Sequence, residues 1–426
     1  MLDIKLIREN PKVVKANLEK RKDDEKLEWL DDLVKKDKEN NKLQQQIDKL
    51  RHKRNTSSKE ISELKKEGKD ISKFIKEVKD IPDRIKELET KKEEIANKIK
   101  YYLMRLPNIM HESVPYGKDD SENVEVKKWG KPKKTTYELK THSDLIEYLE
   151  IGDFKKAVQV SGAGFYYLFG KLSMLNNALM MYAMDFLTKK GFTVVTPPLM
   201  LNRQAYEGVT DLSDFENVMY KIEDEDLYMI ATSEHPIAAL LMNETIPEEK
   251  LPLKLCGFSP CFRKEIGSHG VDTRGLFRTH QFWKIEQFIF CKPEDSWKHH
   301  EELQKNSEDM YKAMKIPFRA VNICTGDLGI IAAKKYDIEA WFPRQEKYGE
   351  VGSNSNCTDY QARRLNIKYK TKDGEKKHLH TLNNTAIATS RAMVAILENF
   401  QQKDGSVAIP QVLQKFMSNV KVIKKE

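Results

Sequence analysis

No stretch of this chain approaches the ~20 consecutive apolar residues that a membrane-spanning helix requires. One third of its residues are charged. A bilayer span, and a membrane partner with it, is therefore not expected. The opening residues, MLDIKLIRENPK, lack the apolar segment of a secretory signal, and their acidic side chains argue against an organelle transit peptide. The expected location is the cytoplasm. Cysteine is scarce too. Cys256, Cys261, Cys291, Cys324 and Cys357 are odd in number and contain no CxxC pair, which argues against a disulfide scaffold and a structural zinc site. Reduced, mostly buried thiols are expected.

Positive charge is present in excess, and unevenly. Residues 1–105 carry 30 Lys+Arg against 23 Asp+Glu, so seven of the eight net positive charges fall in the first quarter of the 426-residue chain. A polyanionic partner for that quarter is one reading, a lysine-rich solvated helical surface the other. The length is too great for one ordinary core and sufficient for two domains.

The first quarter reads as helical throughout. Asn10 can cap a helix that has Pro11 at its first position. From about Glu25 to Gly68 a heptad-like seam runs through Leu27, Leu30, Val34, Leu43, Ile47, Leu50, Ile61 and Leu64, interrupted by polar positions such as Asp37 and Asn40. Gly68-Lys69-Asp70 reads as a turn. A cleaner seam follows at Ile71, Phe74, Val78, Ile81, Ile85, Leu88, Lys92, Ile95, Ile99, Tyr102 and Leu106, with the alternating three–four spacing of a left-handed coiled coil. Pro82 is expected to kink it. Two helices of matched length and a tight turn predict an antiparallel hairpin arm over residues 1–106. Arg51, Lys53 and Arg54 cluster midway, and Lys65, Lys66 and Lys69 lie near the tip, suited to phosphate. A dimerising coiled coil is the structural alternative. Prolines, glycines and mixed charge mark 107–135 as a linker. Residues 136–426 form the second domain.

Within that domain, Lys171 to Lys189 is expected to be helical, then Phe192 to Thr196 a strand closed by Pro197 and Pro198. Tyr228 to Glu234 is a strand entering a turn, in which Thr232 or Ser233 would ordinarily cap the next helix. A further helix over 296–315 carries His299 and His300, expected on its surface. Asp337 and Glu339 alternate on a strand. Glu350-Val351-Gly352-Ser353 sets small polar groups after a carboxylate, which suits magnesium. The segment His380 to Arg391 reads as a strand delivering Arg391, with a helix from Ala392.

The most informative stretch is 255–290, two β-prone runs joined by a loop with three glycines over 266–275. In the second run Phe282, Lys284, Glu286, Phe288 and Phe290 share one face; Thr279, Gln281, Trp283, Ile285 and Gln287 share the other. Arg263 and Glu265 are two apart. An arginine there can fork onto a phosphate or carboxylate, and Phe282 could stack on a purine. An Arg–Glu ion pair on a sheet face is the competing reading of the spacing.

FRKE (262–265) followed by GSHGVDTRGLFRTHQFWKIEQF resembles motif 2 of the class II aminoacyl-tRNA synthetases and, within that class, the seryl-tRNA synthetases. The helix–Gly191–strand–Pro197 pattern is similar to motif 1, and the segment ending in Arg391 is similar to motif 3. The resemblance covers nearly the whole chain. It implies an α+β fold, an antiparallel β-sheet flanked by helices, with the helical arm in front, and a homodimer. It further implies that ATP and Mg2+ activate L-serine to seryl-adenylate without zinc, and that the seryl group passes to the 3′ end of tRNA(Ser) with its long variable arm, an expectation extended to tRNA(Sec). Arg263 and Arg391 would be catalytic. Serine would be held by Thr232, Ser233, Glu234, Arg263, Glu286 and Thr385, the last reached by counting back from Arg391 because Asn384 and Ala386 stand where many relatives have glycine. ATP would meet Arg263, Lys264, Glu265, Thr279, His280, Gln281, Phe282, Glu350, Val351, Gly352, Ser353 and Arg391, with Glu350 on magnesium. The arm residues Arg51, Lys53, Arg54, Lys65, Lys66 and Lys69 would face tRNA. A relative that loads a carrier protein, or a non-catalytic scaffold, are the alternatives.

Overall fold

The computed structural model describes residues 1–211, 216–265 and 275–425, without the side chains of Phe74 and Glu77. Most of the glycine-marked loop (266–274) thus lies outside the described residues. The chain divides into two compact units, Met1–Pro107 and Asn108–Glu426.

The first unit is helical. Two short helices, α1 (Ile4–Glu9) and α2 (Pro11–Arg21), precede the 43-residue α3 (Asp24–Lys66), which spans roughly 65 Å at 1.5 Å per residue. The return leg is α4 (Ser72–Lys79) and α5 (Ile81–Arg105). Its expected kink is a break at Asp80, because Pro82 is tolerated in a first turn but not in a helix interior. Asn10 occupies the cap position of α2 without a side-chain capping bond. The contacts Tyr102–Asp32 (2.8 Å), Lys91–Glu39 (3.0 Å) and Arg51–Glu89 (2.6 Å) run in opposite order along the two legs, so the hairpin is antiparallel. Leu30, Leu33, Leu43 and Ile47 on α3 and Ile85, Leu88, Ile95 and Ile99 on α5 are buried, and the two helices pack on each other. The polar interruption at Asp37 has a cause: Arg8 grips its carboxylate through two bonds of 2.7 Å, the bidentate geometry that makes a buried carboxylate tolerable. The turn residue Gly68 has φ +72°, open to glycine at no steric cost.

The second unit is built on an eight-stranded, mostly antiparallel sheet. Its strands are β1 (Val124–Trp129), β2 (Thr193–Val195), β4 (Leu253–Phe262), β5 (Gln281–Cys291), β6 (Phe318–Asn322), β7 (Lys334–Phe342), β8 (Lys347–Asn356) and β11 (His380–Ala388). They lie in the order β1-β6-β7-β8-β11-β5-β4-β2, and only β2 runs parallel to its neighbour. A second sheet joins β3 (Thr245–Pro247), β9 (Lys368–Lys370) and β10 (Lys376–His378). The stretch expected as a linker is instead built into this unit. Asn108 donates to the carbonyls of Ile331 and Cys357 at 2.9 and 2.8 Å, and β1 is an edge strand on β6.

The expected alternation in β5 decides what lies on each side. Ile285 and Ile289 enter a core with the helices α7 (Gly170–Thr188), α9 (Ser296–Ala313) and α10 (Thr389–Asn399). Phe288 and Phe290 enter a second core on the opposite side. Before them on that face stand Phe282, Lys284 and Glu286, and there the cleft opens. The five cysteines are all buried and free. His299 and His300 correct the expectation of surface histidines. Both are buried, because α9 is covered: His299 Nδ1 lies 2.9 Å from Glu302 and His300 Nε2 is 3.2 Å from the Asn354 carbonyl.

Candidate active site

The cleft has a volume of about 700 Å3, within the range of small-molecule sites. Among the segments that converge on it are the end of β4 (Arg263), β5, the turn before α8 (Glu234–Ala239), β8 and β11. Two bulges aim its walls. The register between β7 and β8 shifts at Val351, and that between β11 and β5 shifts at Ala386. Each extra residue re-aims the side chains beside it. Gly352 is needed where β8 meets β11, since a Cβ there would sit 3.0 Å from the Thr385 carbonyl oxygen.

One end of the cleft is a buried network of charge. Lys284 Nζ lies 2.6 Å from Glu286 Oε2, and the Thr385 hydroxyl donates to the same carboxylate at 3.3 Å. Glu234 Oε1 accepts from Gln361 Nε2 at 3.2 Å and Asn383 Nδ2 at 3.1 Å. Thr232 Oγ1 accepts from the Glu234 amide at 3.1 Å, a local turn contact, whereas the helix cap expected of Thr232 or Ser233 is not formed: Ser233 holds the N-cap position without a side-chain capping bond. Burial, then the charge of Glu286, push Glu234 up to about 7 against the opposing pull of Lys284. Burial raises Glu286 as well, opposed by Lys284. His235 is driven down to about 3 by burial and by Lys284 and Arg263, so it is neutral.

The other end offers aromatic faces and guanidinium groups. Arg263 is anchored by its Nε to the Ala231 carbonyl at 3.2 Å, and its guanidinium lies 5.2 Å from the centre of the Phe282 ring. Arg391 donates from Nη1 to the carbonyl and carboxylate of Glu350 at 2.9 and 3.1 Å and lies 5.1 Å from the Phe277 ring centre. It sits in the first turn of α10 instead of on the preceding strand, which ends at Ala388. Glu265 is past the end of β4, at φ +47°, 3.5 Å from Arg278. Desolvation would raise the Glu350 carboxyl, but the charges of Arg391, Lys335 and Arg263 outweigh it, and the group sits below its ordinary value.

The structure brings Thr232, Glu234, Arg263, Glu265, Thr279, Phe282, Glu286, Glu350, Val351, Gly352, Ser353, Thr385 and Arg391 to one cleft. Four expected residues have side chains elsewhere. Ser233 is fully buried beneath Gly257. Lys264 lies over the Tyr220 ring at 5.8 Å. His280 stacks on Phe165 at 5.3 Å and bonds Tyr220. Gln281 pairs with Phe262 at the start of β5. Their backbone still shapes the site, since the Arg263 amide donates to the His280 carbonyl at 2.9 Å. Lys284, Asn383 and Phe277 line the cleft without having been singled out. Lys284 was legible from its face on β5; Phe277 lies in the approach to β5, where alternation says nothing. Asp337 and Glu339 stay outside the cleft lining, held by Lys335 at 3.2 Å and Arg319 at 2.6 Å.

Of the six arm residues expected to face tRNA, Arg51 is paired across the hairpin with Glu89, and Lys69 lies 2.7 Å from Glu67. Lys53, Arg54, Lys65 and Lys66 are exposed.

Residues 219–400 match the tRNA synthetase class II core domain (G, H, P, S and T), and residues 1–110 match the seryl-tRNA synthetase N-terminal domain. A serine–tRNA ligase from Methanocella arvoryzae is 59% identical over 99% of this chain and 100% of its own. The chain belongs to the seryl-tRNA synthetase family. Another member, the serine–tRNA ligase of Pyrococcus horikoshii, is 51% identical over 100% of this chain and 99% of its own. A crystal structure of the Pyrococcus horikoshii seryl-tRNA synthetase complexed with ATP superposes at a TM-score of 0.96, with 49% identity and full coverage of both chains. The cytoplasmic serine–tRNA ligase of Naegleria fowleri in complex with AMP gives 0.91 at 35% identity, covering 100% of this chain and 99% of that one. For a seryl-tRNA synthetase, the FRKE stretch, through Arg263 and Glu265, and the segment ending in Arg391 line one cleft.

Proposed function

We propose that this chain is a serine–tRNA ligase: it joins L-serine to ATP as seryl-adenylate, releasing pyrophosphate, and transfers the seryl group to the 3′ end of tRNA(Ser), releasing AMP. The observation that carries the reading is the pairing, in one cleft, of a guanidinium beside an aromatic ring with a buried Lys–Glu–Thr network.

The serine carboxylate is already ionised, so activation needs position more than a base. It attacks the α-phosphorus, and charge gathers on the phosphoryl oxygens. Arg263, fixed by its bond to Ala231, stabilises that charge. Phe282 supplies a stacking face for adenine, with Glu265 and Thr279 beside it. Arg391 clamps the far end of the triphosphate. Glu234 and Glu286 present carboxylates to the serine ammonium and hydroxyl, with Thr232 and Thr385 completing the shell. A site that hydrogen-bonds one hydroxyl rejects alanine, whose binding would leave those groups unpaired.

Glu350 is 45% exposed and ionised, which suits a magnesium ion held mainly by phosphate oxygens. Among the described residues no three His, Cys, Asp or Glu side chains gather as a metal site, so a metal here would rely on the nucleotide for most of its ligands. When bound, magnesium would neutralise phosphate charge.

The arm is the tRNA-binding element, reading shape and backbone of a long variable arm through Lys53, Arg54, Lys65 and Lys66. A homodimer is supported by exposed apolar side chains around motif 1: Val160 on α6 (Phe154–Ser161), Tyr167 and Phe169, Met181 on α7 and Val194 on β2. The expected compartment is the cytoplasm; among the described residues no helix is long and apolar enough to cross a membrane. The test is aminoacylation of a serine tRNA transcript by the full chain. Serylation with AMP formation supports the reading, and AMP formation without charged tRNA refutes it.

A further inference from the structure

The sheet β3-β9-β10 has one face in the core and one in solvent. Tyr369 and Ile246, paired in the register, are 3% and 7% exposed and pack with Phe288 and Phe290. By alternation, Lys368 and Lys370 point the other way, joined on that outer face by Thr245 and Pro247 of β3 and by Lys376 of β10. Lys370 stands directly opposite Lys376. Like charges at such a position cost stability, and this strand pair carries the cost with no compensating acid. Among the described residues Lys368, Lys370 and Lys376 form no ion pair. Two of the nearby acids are engaged elsewhere: Glu375 takes Lys377 at 2.9 Å, and Glu248 takes Lys292 at 2.8 Å and the Lys372 amide at 3.0 Å.

The background makes this local. Residues 106–426 hold 44 Lys+Arg against 43 Asp+Glu, yet 368–378 hold five lysines against two acids. The lysines also sit on a rigid frame, spaced roughly 6.6 Å along the strand at 3.3 Å per residue, a repeat comparable with that of successive phosphates along one nucleic-acid strand. β10 ends one residue before β11 begins, and β11 carries Thr385 into the cleft.

We infer that the outer face of β9-β10 is a second RNA-backbone contact, held by Lys368, Lys370 and Lys376, which grips the tRNA from the catalytic unit independently of the arm. This rests on the reading above that the chain charges tRNA. Contacts of this kind position the RNA without reading its bases, and they weaken with salt.

The test compares the full-length wild type with K370E and K370A/K376A. K370E places a Glu opposite Lys376, a favourable cross-strand pair, so a folding defect is not expected. Serine-dependent ATP–pyrophosphate exchange should be unchanged in both variants. The KM for a serine tRNA transcript should rise at least about threefold, and in the double variant the slope of log affinity against log salt should fall by about two. Normal exchange with unchanged tRNA KM and salt slope overturns the inference. A wild-type chain without serine-dependent exchange overturns the functional reading itself.

Discussion

Lys284 Nζ stands 2.6 Å from Glu286 Oε2, with 7% and 1% of the two side chains exposed. A buried pair of this kind contributes little net stability, but removing one partner strands the other charge. K284M should therefore cost about 3–5 kcal/mol, and the loss should grow as pH rises, because burial already favours the protonated Glu286 and Lys284 is the main group opposing that. K284M/E286Q should recover most of that stability while exchange activity stays lost. Thermal denaturation and exchange on the same preparations check both halves. Equal melting temperatures for K284M and the wild type would refute the pairing.

Glu234 makes the site sensitive to pH. Its folded-state value of about 7, against an ordinary 4.5, means the folded chain keeps a proton that the unfolded chain has already released. Stability falls as pH rises from about 4.5 to about 7 and stays lower above that. E234Q keeps the oxygen that accepts from Gln361 and Asn383. It should melt above the wild type at pH 8, the gap closing by about pH 4.5. The same ionisation should appear in kcat/KM for serine, rising with pH through a midpoint near 7 in the wild type and flat in E234Q.

Arg391 sets the charge state of Glu350 as well as facing the triphosphate. R391A should lower exchange on the order of 10²-fold and return the Glu350 carboxyl upward, so that magnesium is needed at higher concentration. Steady-state kinetics with ATP and magnesium varied separately would show it; an unchanged magnesium requirement would separate the two residues.

The arm and the cleft belong to different compact units. Removing residues 30–95 should spare serine-dependent exchange and abolish tRNA charging. Loss of both activities, or of neither, would contradict the division of labour.

The parts of the fold that could be read from sequence are those whose side chains repeat. The three–four spacing of Ile81 to Ile99 and the alternation of Phe282 to Phe290 each need a partner surface, so pattern implies packing. The parts that could not be read depend on partners distant in the chain. β1 is exposed along most of its length and shows no alternation; its pairing with β6 fixes it. His300 looks like a surface residue until Asn354 and Tyr336 cover it. At the site, Arg263, Glu286 and Arg391 were legible from motif wording. Asn383 was not, because its function is to hold Glu234, a residue 149 positions away. His280 and Lys264 fell within the motif but turn their side chains toward Tyr220.

The central claim is that this cleft joins ATP to serine. ATP–pyrophosphate exchange with each of the twenty amino acids, using the full chain without tRNA, tests it most directly. The account predicts strong exchange with serine, at most weak exchange with threonine, and background with alanine. Exchange with another amino acid in preference to serine, or none with any, would contradict it.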